Sequence, residues 1–477
     1  MQRTGEGKML KIYDYKWLAI FLMVFGINVF GADLTYAEDL YYAQISAGGA
    51  NGGNCANAKA ISTLTWGTGI GNIGAGDTAH ICGTITSTLA VGAGGSLGSP
   101  VTVKFEDGAK FSAATWMNGS AIITVNGYSY VVIDGGTNGI IEATNNGTNR
   151  TYKNEFAGIS FNNAPNIEIK NMKIQNLFVH EATGATGAGA GALAITSVDS
   201  SGNSNNASIH NNTLRHCMTG IAWNTAVGVH DISVYNNTIE YINRGIRFGS
   251  RGSNSSISNV YVYNNNIGYG ANWDDPATNN FHKGYLHFWN YNTNISAVTN
   301  LKIYNNYFYG SAGKYKTAAI FLEGYATNPL VYNNKINTDM QPIYSKFVNT
   351  HHRIFNNTLY VGAAYTYGYL QNGVGATGEF YNNIITGLTA TPYSAGSLTM
   401  SNNILSGTDP KLNVDLTLQS NSPAIGAGAN LSVYFTTDFL GNTRIAPWDI
   451  GAYKYVGVGS PPPPPLTPSP PADILIQ

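Results

Sequence analysis

The sequence predicts an all-β solenoid, a coil of short parallel strands stacked on copies of themselves, and three observations predict it. The first is an Asn pair behind an apolar-x-apolar run. It recurs as "ASIHNNTLR" (207), "ISVYNNTIE" (232), "VYVYNNNIG" (260), "LKIYNNYFY" (301), "PLVYNNKIN" (329), "HRIFNNTLY" (352), "GEFYNNIIT" (378) and "LTMSNNILS" (398), with a degenerate copy at Asn171-Met172. The second is spacing: the pairs begin at 171, 211, 236, 264, 305, 333, 356, 382 and 402, in steps of 40, 25, 28, 41, 28, 23, 26 and 20 residues. Self-similarity at about 20–28 residues with occasional long insertions marks stacked repeats. The third is a second recurring stretch, "AGISF" (157), "ALAIT" (192), "GIAWN" (220), "GIRFG" (245), "GYLHFWN" (284), "AIFLEG" (319), "PIYSK" (342) and "GYLQN" (368), which alternates apolar and polar residues as a strand does.

One repeat therefore reads as a first strand of G-I-x-apolar type, a loop, a second strand of apolar-x-apolar type, an Asn-Asn corner and a short third strand led by Ile or Leu. Earlier turns lack the pair but keep the pattern. Residues 101–111, "VTVKFEDGAKF", read as strand, Asp-Gly corner, strand, and residues 121–143 read as a full turn with Asp134-Gly135-Gly136 at the corner.

Composition narrows the class. Charged residues make up 11% of the 477, the formal net charge is −1, and Gly (56) and Tyr (31) are abundant. So weak a charge gives no long-range attraction to nucleic acid or an anionic membrane. Lys8, Lys11 and Lys16 precede an apolar run from Leu18 to Phe30, and "TYA" (Thr35 to Ala37) follows, the pattern of a secretory signal over 1–37. The run is shorter than the roughly 20 residues of a membrane span, and no second hydrophobic stretch follows it. The mature chain is therefore expected to be secreted or held at the cell surface, with no membrane span. An oxidising compartment favours pairing Cys55 with Cys82 and leaves Cys217 as a buried free thiol.

The Asn corners and the G-I-x-apolar strands resemble the right-handed, single-stranded parallel β-helix of the pectin lyase-like superfamily, over roughly Thr78 to Ser406. The resemblance implies a column of stacked Asn side chains between second and third strands, and polymer substrates lying along the first-strand sheet. Asn suits the corner because it tolerates the left-handed conformation and stacked amides hydrogen-bond between turns. The resemblance also implies an N-terminal cap over 38–77, with a short helix near Ala56 to Leu64 closing the coil. Residues 420–455, "SNSPAIGAGANLSVYFTTDFLGNTRIAPWDIGAYKY", resemble a terminal segment of secreted bacterial members, with Gly426 where Asp is usual and Lys454 where Glu is usual. Asp438, Arg444 and Asp449 then read as a structural ion-pair cap within a C-terminal capping segment, 407–456. The Pro-rich tail, 457–477, reads as a stiff spacer or stalk.

Candidate chemistry collects on the first strands. By alternation Ile246 and Phe248 point in and Arg247 out; Leu286 and Phe288 in, with Tyr285, His287 and Trp289 out; Ile320 and Leu322 in, with Phe321 and Glu323 out. Tyr344 and Lys346 follow on the next turn. Arg247, His287 and Glu323 are thus expected in one column, about 4.8 Å apart. The 41-residue step inserts "GYGANWDDPATNNFHK" just before His287, and residues 240–320 hold seven Lys/Arg against three acids. A locally basic, aromatic face beside a long insertion suits a carboxylated sugar.

β-Elimination on a uronate polymer needs a cation for the carboxylate and a base near the C5 proton. Arg247 is the candidate clamp, His287 or Lys283 the candidate base, and Tyr285, Trp289, Phe321, Tyr344, Lys346 and Arg251 the candidate substrate contacts. Hydrolysis would need two carboxyl groups, Glu323 with Asp274 or Asp275; Asp274-Asp275-Pro276 reads as a turn whose acids could also hold Ca2+. The Tyr before each Asn pair reads as an outward aromatic ladder, and "HHR" (351–353) as solvated. No acid-rich motif of pectin hydrolases or Asp-rich calcium signature of pectate lyases is present. The leading functional reading is a secreted protein that binds, and could cleave by elimination, an acidic polysaccharide. The alternative is a non-catalytic surface adhesin or stalk.

Overall fold

The computed structural model describes residues 37–181, 189–199, 203–225, 228–250, 256–274, 282–290, 298–387 and 391–457. The signal-like segment, the Pro-rich stretch, Arg251 and Asp275 lie outside them. No helix among the described residues is long and apolar enough to cross a membrane.

Three short strands per turn stack into two parallel sheets. The second strands form a 14-stranded sheet that begins with Lys59–Ala60 and Asp39–Ala43 and ends with Ser397–Ser401. First and third strands interleave in a 20-stranded sheet. They merge because Thr213–Thr225 and Thr238–Ser250 run unbroken from third strand into first. Pairing is parallel and in step, as where Ile232, Val234 and Tyr235 meet Val260, Val262 and Tyr263.

Alternation along a strand plus in-step stacking turns each sequence position into a column. Ile123, Ile159, Ile195, Ile221, Ile246, Leu286, Ile320 and Ile343 form one, and all eight are fully buried. Burial of such a side chain contributes roughly 1.5–3 kcal/mol, so the column is a large part of what holds the turns in register.

At each corner the two Asn residues do different work. The first takes a left-handed backbone, φ 54° at Asn236 and Asn264 and 52° at Asn333, which turns the chain. The second points inward. Its Nδ2 donates to the Oδ1 of the next turn's second Asn at 3.0 Å from Asn212 through Asn237, Asn265, Asn306, Asn334 and Asn357 to Asn383, and at 3.3 Å from Asn383 to Asn403. The residues before the pairs stack outside: Tyr235, Tyr263, Tyr304 and Tyr332 follow one another at 4.8, 4.9 and 4.8 Å between ring centroids. Each ring face meets another ring, so the ladder consolidates the sheet instead of offering open platforms.

Three expectations are corrected. No cap helix forms near Ala56 to Leu64: two single-turn 3-10 segments, Cys55–Asn57 and Ile61–Thr63, flank Lys59–Ala60, which is extended because it pairs with the free edge of Asp39–Ala43. His352 of "HHR" is fully buried, since the strand His351–Phe355 alternates and turns it toward Ser345 Oγ, 3.2 Å away. Asp438, Arg444 and Asp449 act through the main chain. Asp438 Oδ1 accepts from the N–H groups of Leu440 and Asn442, Asp449 accepts from Gly426 and Tyr455, and Arg444 donates to the carbonyls of Asp449, Gly451 and Ala452. The segment they hold docks on the outward first Asn of four corners. Asn333, Asn356, Asn382 and Asn402 donate to the carbonyls of Thr437, Asp449, Ala429 and Ala427. Cys55 and Cys82 form a disulfide that ties the edge segment to the next turn; the buried Cys217 thiol is pushed up to about 12 by burial and is inert.

Candidate functional site

The outer face of the first-strand sheet carries two columns over the turns from 245 to 346. In one, Arg247 lies opposite His287, His287 opposite Phe321 and Phe321 opposite Tyr344. In the other, Gly249 precedes Trp289, Glu323 and Lys346. The expected single column of Arg247, His287 and Glu323 is therefore split: Glu323 belongs to the neighbouring column, two residues along its strand. The register is set by the buried Ile246, Leu286 and Ile320, and Phe321 is what that register brings to His287.

The groups still meet on the diagonal, which long side chains can span. His287 Nε2 is 3.6 Å from Glu323 Oε2, and Lys346 Nζ is 3.6 Å from Glu323 Oε1. Lys346 also sits 5.6 Å from the centroids of Phe321 and Tyr344. Arg247 lies 5.8 Å over the Trp289 ring and donates to Asn224 Oδ1 at 2.5 Å. Sequence reasoning did not single out Asn224, the buried Arg244 or His282, whose ring is 5.4 Å from Phe321. Asn224 and Arg244 were within reach, since each sits on a first strand at a position the periodic alignment already defines.

Burial decides the electrostatics. His287 is 4% exposed and stacks on Phe321 at 4.8 Å. Burial, helped by the Arg244 charge and opposed by Glu323, pulls its pKa down to about 4, so the ring is neutral at physiological pH. Glu323 is partly exposed; its contact with His287, aided by Lys346, holds its carboxyl below the usual range. The site thus offers an ionised carboxylate between an ammonium group and a neutral imidazole, with a guanidinium on the adjacent turn.

Several candidates sit elsewhere than expected. Tyr285 is fully buried, its hydroxyl accepting from Gly270 N–H at 3.2 Å. Its position is the Gly of G-I-x-apolar, where the strand bends and the side chain turns in: a Cβ on Gly245 would come within 2.6 Å of Ile267. Lys283 is also fully buried. Its ammonium donates to Ala312 O at 2.7 Å, Asp274 Oδ1 at 2.8 Å and Gly270 O at 3.2 Å, so it pins the insertion and has no reach to a substrate. Asp274 is committed to Lys283 and to the N–H groups of Lys314 and Tyr315, which removes it as a hydrolytic carboxyl or a calcium ligand. Phe321 is fully buried and forms the floor under His287 and Tyr344, while Trp289, Tyr344 and Lys346 remain partly exposed. Among the described residues no group of three or more His, Cys, Asp or Glu side chains could hold a metal ion.

Neither protein-family models nor the sequences of curated proteins match the chain. Solved structures do. Pectate lyase Pel9A superposes with a TM-score of 0.51 at 12% identity, covering 88% of this chain and 97% of its own. The GH136 lacto-N-biosidase from Eubacterium ramulus gives 0.50 at 12% identity, covering 77% of this chain and 67% of its own. XylC in complex with xylose gives 0.50 at 11% identity, covering 88% and 98%. At such identities the likeness is one of fold. With its parallel sheets and stacked corners, the chain is a right-handed parallel β-helix.

Proposed function

We propose that this chain is an exported protein that binds an acidic polysaccharide along its first-strand sheet, over the turns from 245 to 346, where the site could also support β-elimination. The supporting observation is the cluster of Arg247, Trp289, Glu323, Lys346 and Tyr344 on one face. The guanidinium and ammonium groups suit a uronate carboxylate, and the partly exposed Trp289 and Tyr344 suit the apolar face of a sugar ring. For elimination, Glu323 replaces His287 and Lys283 as the reachable base, since it is ionised and partly exposed where they are buried. Neighbours of the same fold include a protein described as a pectate lyase and one described as a lacto-N-biosidase, which favours a carbohydrate ligand. The basic, apolar and small-residue order of 1–37 supports export.

A second reading, binding without cleavage by a surface protein, is favoured by the burial of His287 and Lys283 and by the Pro-rich tail. One experiment separates them. Purified protein is incubated with polygalacturonate and with alginate, unsaturated product is followed by absorbance, and binding is followed by affinity electrophoresis. An Arg247→Ala/Lys346→Ala double variant is expected to lose binding by about tenfold or more. Undiminished binding in the double variant would sink the site. Binding by the wild type without product would establish the second reading.

A further inference from the structure

The two ends of the coil are finished differently. At the start, the inward residues Ile81, Ile85, Leu89 and Val91 are at most 5% exposed. Tyr42 stacks against Ile81 in register, and Ile61 and Ile73 close the same core cluster. At the finish, no described strand pairs with the outer edge of Ser397–Ser401, the last of the 14 strands. The C-terminal segment does not supply one. It runs back along the flank, where Leu431, Phe435 and Trp448 pack on Leu330, Tyr332 and Phe355, and Asn333 Nδ2 donates to Thr437 O.

The inward columns therefore end on residues that meet solvent. Ile303, Val331, Ile354 and Phe380 are fully buried, and Met400, next in the same column, is 50% exposed. Leu398 beside it, Pro392 after Tyr369 and Leu405 after Ile385 are partly exposed. Native proteins blunt such edges with charge or proline. Pro392 does this for the first-strand edge. Residues 380–408 hold no Asp, Glu, Lys, Arg or His, so the second-strand edge has no guard of its own. An apolar core end and an unguarded strand edge on one surface mark an interaction site.

We propose that this end joins the same end of a second copy, the two Ser397–Ser401 strands pairing antiparallel about a two-fold axis through Thr399. The strand is self-complementary, since "SLTMS" keeps its pattern of apolar and hydroxyl residues when reversed. Antiparallel pairing sets Ser397 opposite Ser401, Leu398 opposite Met400 and Thr399 opposite its own counterpart, each pair on one face of the joined sheet. Leu398 and Met400 then carry the core across the junction. Uncharged ends meet without like-charge repulsion and offer a charged partner nothing to pair with. The contact spans one cross-section of the coil, which places it in the small, reversible class of interfaces. It does not rest on the proposed function.

The test is sedimentation velocity of the purified protein. Over roughly 1–200 µM, the range in which small interfaces associate, the mass should rise about twofold. Thr399 is exposed, so Thr399→Asp and Thr399→Lys should each melt close to the wild type. Each alone should lose the dimer, because like charges then face each other across the axis. An equimolar mixture of the two should recover it through Asp–Lys pairs. Hydrogen exchange at 397–401 should slow as the wild-type dimer forms. A mass that does not change with concentration, a dimer that persists in either variant, or a mixture that stays monomeric would each overturn the proposal. So would dimers that form only after removal of residues 458–477, which would assign the edge to the chain's own tail, and open-ended assemblies in place of a closed pair.

Discussion

Adjacent, identical residues have opposite roles at each corner, and Asn264 and Asn265 make the contrast measurable. The Asn265 amide donates to Val234 O, Tyr263 O and Asn306 Oδ1 and accepts from the N–H and Nδ2 of Asn237. Asn265→Ala leaves buried partners unpaired and is expected to cost about 2–4 kcal/mol, read as a fall in the urea midpoint. Asn264 stands at φ 54°, so Asn264→Gly should be close to neutral and Asn264→Val should cost about 1–2 kcal/mol. Equal losses at 264 and 265 would contradict this division. The pair itself is plain in the chain, but which member faces in is not, because both are Asn and the choice lies in backbone dihedrals. Tyr285 illustrates the same limit. Strict alternation turns it outward, and the bend at the Gly position, where the neighbouring turns carry Gly or Ala, buries it.

Strand periods are legible because each strand alternates, and the outward sets of "GIRFG", "GYLHFWN", "AIFLEG" and "PIYSK" hold for Arg247, Trp289, Glu323 and Lys346. Register between strands is a different matter. It follows from how Ile246, Leu286 and Ile320 stack, and a shift of two residues keeps every side chain on its face while changing its neighbour. That is why Glu323 was expected beside His287 in one column and instead reaches it diagonally. The C-terminal segment is an element whose place no local pattern announces. Arg444 is 6% exposed, donates to Asn333 Oδ1 at 2.9 Å and to four carbonyls, and is lowered to about 10 by burial. Arg444→Ala should destabilise the docked segment by more than about 3 kcal/mol, since buried acceptors lose a charged donor. Hydrogen exchange should then rise at 427–452 and at the corners from 333 to 402, while the turns before 300 keep their protection. Unchanged exchange at those corners would show that the segment is held by its apolar contacts, Leu431, Phe435 and Trp448, instead.

At the scale of the whole coil, two buried histidines set an acid limit. Burial lowers His352 to about 3 and His287 to about 4, from an ordinary 6.5. Both take up protons more readily in the unfolded chain. Their contribution is therefore fully present above pH 6.5 and is lost as pH falls through 4 toward 3. Melting temperature should drop over that window, and His352→Gln combined with His287→Gln should flatten the slope while lowering stability at neutral pH. An unchanged slope in the double variant would assign the acid sensitivity to other groups.

The chain alone was enough for the architecture, because a repeat writes its period, its corner residue and its inward columns many times over, so single misreadings average out. Packing alone could decide the site. Which Asn turns in, which outward residues become neighbours, and whether Lys283, His287 and His352 meet water depend on contacts between turns 20–41 residues apart. Those contacts occur once each, and burial, which exists only in the folded coil, settles the charge and the reach of every candidate group.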